Sequence, residues 1–209
     1  MSDDKHNILI TAISLFKKYG LQGVTMNDVA QQLGISKKTL YVYFSSKEAL
    51  LCGSVQLFIN QMNLTIEDIV TSHEHPIQKI LKISIKLLAE FSSMDSVYFY
   101  TLNKTYPKVI QLIESFRNEF INTHLQPLFI AAYEQKCFSK DVDIDLFMKI
   151  RFLKIDQHYF ELKTVAPDIV LKECFYHLVA YQLIGICTST FQNTCKEFIE
   201  ESYLNYYKN

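Results

Sequence analysis

The segment from Thr25 to Glu48 constrains the fold more than any other part of the chain. It reads TMNDVAQQLGISKKTLYVYFSSKE, a pattern of two short helices joined by a tight turn. Val29, Ala30 and Leu33 share one face of the first helix, and Leu40 and Phe44 share one face of the second. Gly34 stands where the first helix must end, and glycine reaches the left-handed conformation there without a Cβ clash. Ala30 is small where two steeply crossing helices must approach closely. Ser36 is placed to cap the second helix, and Thr25 with Asp28 makes an N-terminal capping pair for the first. These choices agree on a helix-turn-helix, whose second helix enters the major groove of DNA.

The flanks complete a small domain. Ile8, Ala12, Leu15, Phe16 and Tyr19 recur at helical spacing, predicting an amphipathic helix over about 4–19 that Gly20 and Gly23 end. That helix covers the apolar faces of the other two. Ser45-x-x-Glu48 predicts a capping box opening a fourth helix. Its apolar positions, from Leu51 and Val55 through Phe58, Ile59, Met62, Ile66, Ile69 and Val70, hold helical period for some six turns. The domain boundary is placed inside it, giving domains at 1–50 and 51–209.

Beyond residue 53 the prolines punctuate the chain. Pro76 and Pro107 suit the first turns of helices, and Pro167 is expected to open another. Pro127 falls inside an apolar-periodic segment, predicting a kink or break there. Helices are expected over 77–91, 95–103, 108–134, 143–163, 168–188 and 194–207. No stretch keeps strand period. The fold class is all-α: a three-helix N-terminal domain joined by a long helix to a helical bundle.

Composition excludes several functions. Net charge is −1 overall, but residues 1–50 carry +2 and the remainder −3, placing a slightly basic module on an acidic body. No apolar run reaches the ~18 residues of a membrane span, and no signal-peptide pattern precedes the first helix. Cys52, Cys137, Cys174, Cys187 and Cys195 are scattered and never form Cys-x-x-Cys, as expected of reduced thiols in a cytoplasmic protein. His6, His73, His75, His124, His158 and His177 are separated, and only His73-Glu74-His75 approaches a metal clip, at a helix junction where exposed polar residues are ordinary. With no glycine-rich phosphate loop or nucleophile motif, neither an enzyme, a metal nor a cofactor is expected.

With its flanks the segment resembles the DNA-binding domain of the tetracycline-repressor (TetR) family of bacterial transcription regulators. The resemblance rests on Ala12, Leu15, Phe16, Gly20, Thr25, Val29, Ala30, Gly34, Ile35 and Ser36. It continues through Thr39-Leu40-Tyr41, Tyr43-Phe44, Ser46-Lys47-Glu48 and Leu50-Leu51, about the first quarter of the chain. Lys38 departs from it, where many members carry glycine; this alters the recognition surface and leaves the fold. The resemblance implies a homodimeric regulator, a repressor released from a palindromic operator by a small-molecule effector. The alternative is a helical ligand-binding or interaction protein that keeps the module without operator recognition.

In the second short helix Lys37, Lys38, Thr39 and Tyr41 lie where side chains reach base edges, with Ser36 at its cap. By the resemblance, Tyr43 and Lys47 reach phosphates, Thr25 binds phosphate at its helix start, and Asn27 touches a base. Arginine is absent before Arg117, which excludes Arg–guanine readout from this domain. Aromatics crowd the body; Phe91, Tyr98, Tyr100, Phe116, Phe120, Phe152, His158 and Tyr159 are candidates to line a pocket for an apolar or aromatic effector, and a filled core would use the same residues. The resemblance places dimerisation on the last two long helices. There Phe175, Leu178, Val179, Gln182, Gly185 and Ile186, with Phe198 and Tyr203, are the candidate interface, the first helix being apolar around more of its circumference than one core contact requires.

Overall fold

The computed structural model describes residues 3–92, 96–151 and 155–206. Among them all regular elements are helical, apart from one isolated antiparallel bridge between Phe138 and Cys187. The chain divides into two compact units, Met1–Leu64 with Ser93–Phe116, and Thr65–Ser92 with Arg117–Asn209. That division is one of packing.

The first unit holds α1 (Asp3–Gly23), α2 (Met26–Gln32), α3 (Lys37–Tyr43) and the start of α4 (Lys47–Thr71). α6 (Ser96–Thr105) and the start of α7 (Pro107–Phe120) join them. Ile8, Leu9, Ala12 and Phe16 of α1 share a core with Val29, Ala30, Leu40, Phe44, Leu50 and Leu51, to which Leu102 and Val109 are added. The expected stop of α1 at Tyr19 needs correction. The helix continues to Gly23 across a break at Gly20 (φ 73°, ψ 165°), which turns Leu21 into the core. α2 ends as the sequence predicts. Gly34 has φ 66°, its N–H donates to the Gln31 carbonyl at 3.1 Å, and the Ile35 N–H reaches the Ala30 carbonyl at 3.0 Å. This bond pair satisfies carbonyls that a helix end would otherwise leave open. The cap of α4 is one residue later than expected. Ser46, not Ser45, accepts the Ala49 N–H at 3.1 Å, so Glu48 falls too early in the helix to close a box.

In the second unit α5 (Pro76–Ser92) is the central element. Ile77, Ile80, Leu81, Ile83, Ile85 and Leu88 are all buried. It packs against α8 (Gln126–Glu134), α10 (Ile155–Val165), α11 (Leu171–Phe175) and α13 (Gln192–Tyr206). α9 (Ile144–Arg151) packs on α8, and α12 (Tyr181–Ile186) on α13. The break expected at Pro127 takes the form of a π turn over Ile121–Leu125, with Pro127 in the first turn of α8. Proline offers no N–H to the carbonyl four residues back, and the register shifts: the Gln126 N–H donates to Ile121, five residues back. Pro167 does not open a helix. It lies in a turn whose Pro167 and Ile169 carbonyls accept from Lys163 Nζ, and α11 starts at Leu171. A second π turn, Tyr176–Ala180, separates α11 from α12.

Candidate nucleic-acid interface

α2 and α3 carry the side chains singled out for DNA, and both helix starts are fixed by local hydrogen bonds. The Thr25 hydroxyl donates to Asp28 Oδ2 at 2.7 Å and accepts the Asp28 N–H at 3.3 Å, while the Thr25 N–H donates to Asp28 Oδ2 at 2.7 Å. These bonds hold the Asp28 carboxyl below its usual range. At α3 the Thr39 N–H donates to Ser36 Oγ at 3.0 Å. Leu40 is fully buried beneath α3, whereas Ser36, Lys37, Lys38, Thr39 and Tyr41 are exposed, as are Thr25 and Asn27. The Lys37 ammonium stands 5.9 Å from the Tyr41 ring centroid.

The two remaining DNA candidates are engaged by the protein itself. The Tyr43 hydroxyl donates to Asp4 Oδ2 at 3.2 Å, and that bond raises the phenol's pKa. Lys47 is half-buried, and its Nζ donates to the Leu21 carbonyl just beyond the break in α1. Its ammonium also lies 5.8 Å from the Phe16 ring centroid. Burial lowers the Lys47 pKa, and Asp28 offsets part of that shift. Val42 was not singled out from sequence. It is 78 % exposed on the side of α3 opposite Leu40, four residues after Lys38. A helical wheel carried that signal: Lys38 and Val42 share the outermost ridge of the helix.

The effector candidates are not gathered in one unit. Tyr100 and Phe116 belong to the first, and Phe120, His158 and Tyr159 to the second. Tyr100 is 65 % exposed with the Lys104 ammonium 5.8 Å from its ring centroid, and Phe116 is half-buried. Phe120 is buried with its ring 5.5 Å from that of His124. His158 is half-buried; Tyr159 is buried edge-on to Phe160, and burial pushes its phenol up to about 12. The side chains of Phe91 and Tyr98, and Phe152 altogether, lie outside the described residues. A recess of about 510 Å³ is lined by other residues, from Ala166 to Ile169 with Glu173 and His177.

Of the interface candidates, Phe175, Val179 and Ile186 are buried, and Leu178 and Phe198 are half-buried. Tyr203 stacks on Phe175 with ring centroids 6.1 Å apart. Gln182 donates from Nε2 to the His177 carbonyl at 3.2 Å, and its Oε1 is buried without a partner among the described residues. Gly185 is exposed, and a Cβ there would meet nothing within 4 Å. Tyr181 and Leu204 are exposed on the same helices. In the clip segment, His75 Nδ1 accepts the Ile77 N–H at 3.1 Å, and Glu74 pairs with Lys82.

Residues 8–52 match the family model described as bacterial regulatory proteins, tetR family. YvaF of Bacillus subtilis, an uncharacterized HTH-type transcriptional regulator, is 28 % identical over 169 residues, covering 80 % of this chain and 84 % of its own length. YerO of the same organism, described likewise, is 36 % identical over 89 residues, 41 % of this chain and only 30 % of YerO. The biofilm operon negative regulator IcaR of Staphylococcus epidermidis is 23 % identical over 158 residues, 75 % of this chain and 82 % of IcaR. Among solved structures, a Saccharomonospora viridis transcriptional regulator in complex with choline superposes with a TM-score of 0.75 at 19 % identity, covering 90 % of this chain and 100 % of that one, which shows a shared fold. The helix-turn-helix pattern, the packed unit that presents it and the matched residues agree that residues 8–52 are similar to the DNA-binding domain of bacterial regulatory proteins of the tetR family.

Proposed function

We propose that this chain acts as a homodimeric repressor, binding a palindromic operator through the module at 1–50 and leaving it when a small apolar or aromatic molecule binds the body at 51–209. It works in the cytoplasm and catalyses no reaction. The observation that carries this reading is the outer face of α3, where Lys37, Lys38, Thr39 and Tyr41 stand exposed on a helix anchored from beneath by Leu40. Lysine donates to guanine O6 and N7, and a threonine methyl packs on the thymine methyl, so this face can discriminate bases. Thr25, Tyr43 and Lys47 surround it as backbone contacts, which position the module without reading sequence, and Asn27 reaches a base. The description of the relative IcaR as a negative regulator supports the sign of control.

Release follows from coupling. The division between the compact units falls inside α4 and α7, so each of these helices has residues in both. An effector that prefers a conformation unsuited to two successive major grooves lowers DNA affinity, and DNA lowers effector affinity by the same factor. The test is selection of bound duplexes from a random pool by the purified protein. The reading expects enriched inverted half-sites. If no duplex is preferred over bulk DNA, operator recognition fails and the chain is an interaction or ligand-binding protein that only keeps the module.

A further inference from the structure

The seven residues of α3 divide by where their side chains go. Leu40 is buried beneath the helix, and Tyr43 is held through its hydroxyl by Asp4. The Thr39 hydroxyl lies 2.8 Å from that of Ser36, a contact local to the cap. Lys37 and Tyr41, one turn apart, meet as cation and ring. The remaining ridge is Lys38 and Val42. At 78 % exposure, Val42 is the most exposed large apolar side chain described in the first unit. Folding therefore draws little burial from its isopropyl group, and a β-branched residue is a poorer helix former than alanine. An apolar group held outermost on such a helix is buried only by what the helix meets.

We propose that Val42 reads one thymine in each operator half-site through the C5-methyl group of that base, an inference that rests on the DNA-binding function proposed above. Length allows it. The seven residues of α3 rise roughly 10 Å, less than the width of a major groove, about 12 Å. A helix seated there presents its last exposed side chain to the bases as well as its first. Chemistry then names the base. Guanine, adenine and cytosine show hydrogen-bonding groups on the groove floor, and the one apolar group there is the thymine methyl. An isopropyl group laid on the cytosine amino group or the guanine oxygen covers a polar atom without replacing the water it loses, which disfavours those bases. Laid on the thymine methyl, it removes apolar surface from water on both sides. Discrimination is the difference between these outcomes. Val42 thus selects by a methyl group, while Lys38, four residues earlier on the same ridge, is placed to donate to guanine.

The test starts from the duplex that the full-length protein selects out of a random pool. Each thymine of a half-site is replaced in turn by deoxyuridine, which keeps every hydrogen-bonding group and removes only the methyl. Binding by the unsubstituted protein should weaken about fourfold at one of these thymines, the loss expected for one apolar carbon returned to water. Val42→Ala should bind the thymine duplex more weakly by a similar factor and lose nothing further when that thymine becomes deoxyuridine. Its sensitivity at the other thymines should be unchanged. Thr39→Ser keeps the hydroxyl beside Ser36 and removes only a methyl, so the loss at the Val42 thymine should persist in it. With a cytosine–guanine pair at the same position, 5-methylcytosine should bind better than cytosine for the unsubstituted protein and no better for Val42→Ala. Because Val42 is exposed, the alanine variant should unfold at the same temperature as the unsubstituted protein. A preferred duplex in which no deoxyuridine alters affinity would overturn the proposal and leave operator recognition standing. So would losses that survive in Val42→Ala at every thymine, or an alanine variant that weakens all duplexes alike. If no duplex is preferred, the proposal falls together with operator recognition.

Discussion

A methyl group added at Gly53 would sit 2.9 Å from Leu9 Cδ2 and 2.9 Å from Phe44 Cε1, both side chains belonging to the buried core. Two effects oppose each other in Gly53→Ala. Alanine favours the helix by about 1 kcal/mol, and overpacking a filled core costs about 1–3 kcal/mol. Sterics win, because both neighbours are held by the core around them; the expected net loss is about 1 kcal/mol, read as a lower denaturant midpoint with an unchanged slope. His75 gives a pH dependence. Burial lowers its pKa below the ordinary 6.5, so the unfolded chain gains a proton before the folded one does. Stability is therefore fully present above pH 6.5 and falls as pH drops from there towards the folded value. His75→Asn keeps an acceptor for the Ile77 N–H and removes the titration. Its stability should vary less between pH 7 and 5 in thermal unfolding, and an unchanged slope would exclude His75 as the cause.

Capping decides the elements, and it separates what could be read in the chain from what could not. Thr25, Asp28, Gly34 and Ser36 were legible because each acts within four residues of itself, where spacing alone fixes the partner. Ser46 was not, since Ser45 and Ser46 are equally good caps and only the path of the chain out of α3 selects between them. Ser46→Ala should cost about 1 kcal/mol, and Ser45→Ala about nothing; equal losses at both positions would refute the assignment. Pro167 misled for a related reason, because a proline suits a turn as well as a first helical turn. The aromatics of the body stayed ambiguous because a phenylalanine at helical spacing faces a cavity, a core or a partner with the same sequence signature. Tyr100 is exposed and Tyr159 buried, a difference set by tertiary packing.

At the scale of the whole molecule, exposed apolar side chains on the last two helices bear on assembly. Leu204 is 56 % exposed on α13 and Tyr181 is exposed on α12, so neither contributes much to a single copy's core. Leu204→Glu should leave the folded monomer's secondary structure intact, convert a dimer to a monomer in sedimentation at micromolar concentration, and abolish preference for inverted half-sites. If the protein without this change already sediments as a monomer, the palindrome expectation goes with it.

The hydroxyl of Tyr43 and the ammonium of Lys47 are each bound by an oxygen of the protein, the Asp4 carboxylate and the Leu21 carbonyl. On the proposed function, those oxygens hold the two groups that would otherwise grip phosphate. Any duplex that recruits the two groups must first displace them, so the free protein competes with DNA for its own grip. Such competition weakens every sequence alike and leaves discrimination to the base contacts of α3. Asp4→Asn should accordingly tighten binding to all duplexes, random ones included, and a filter-binding comparison in which only one chosen sequence gained affinity would contradict it. On this view Asp4, in the first turn of α1, acts as a governor on indiscriminate adhesion.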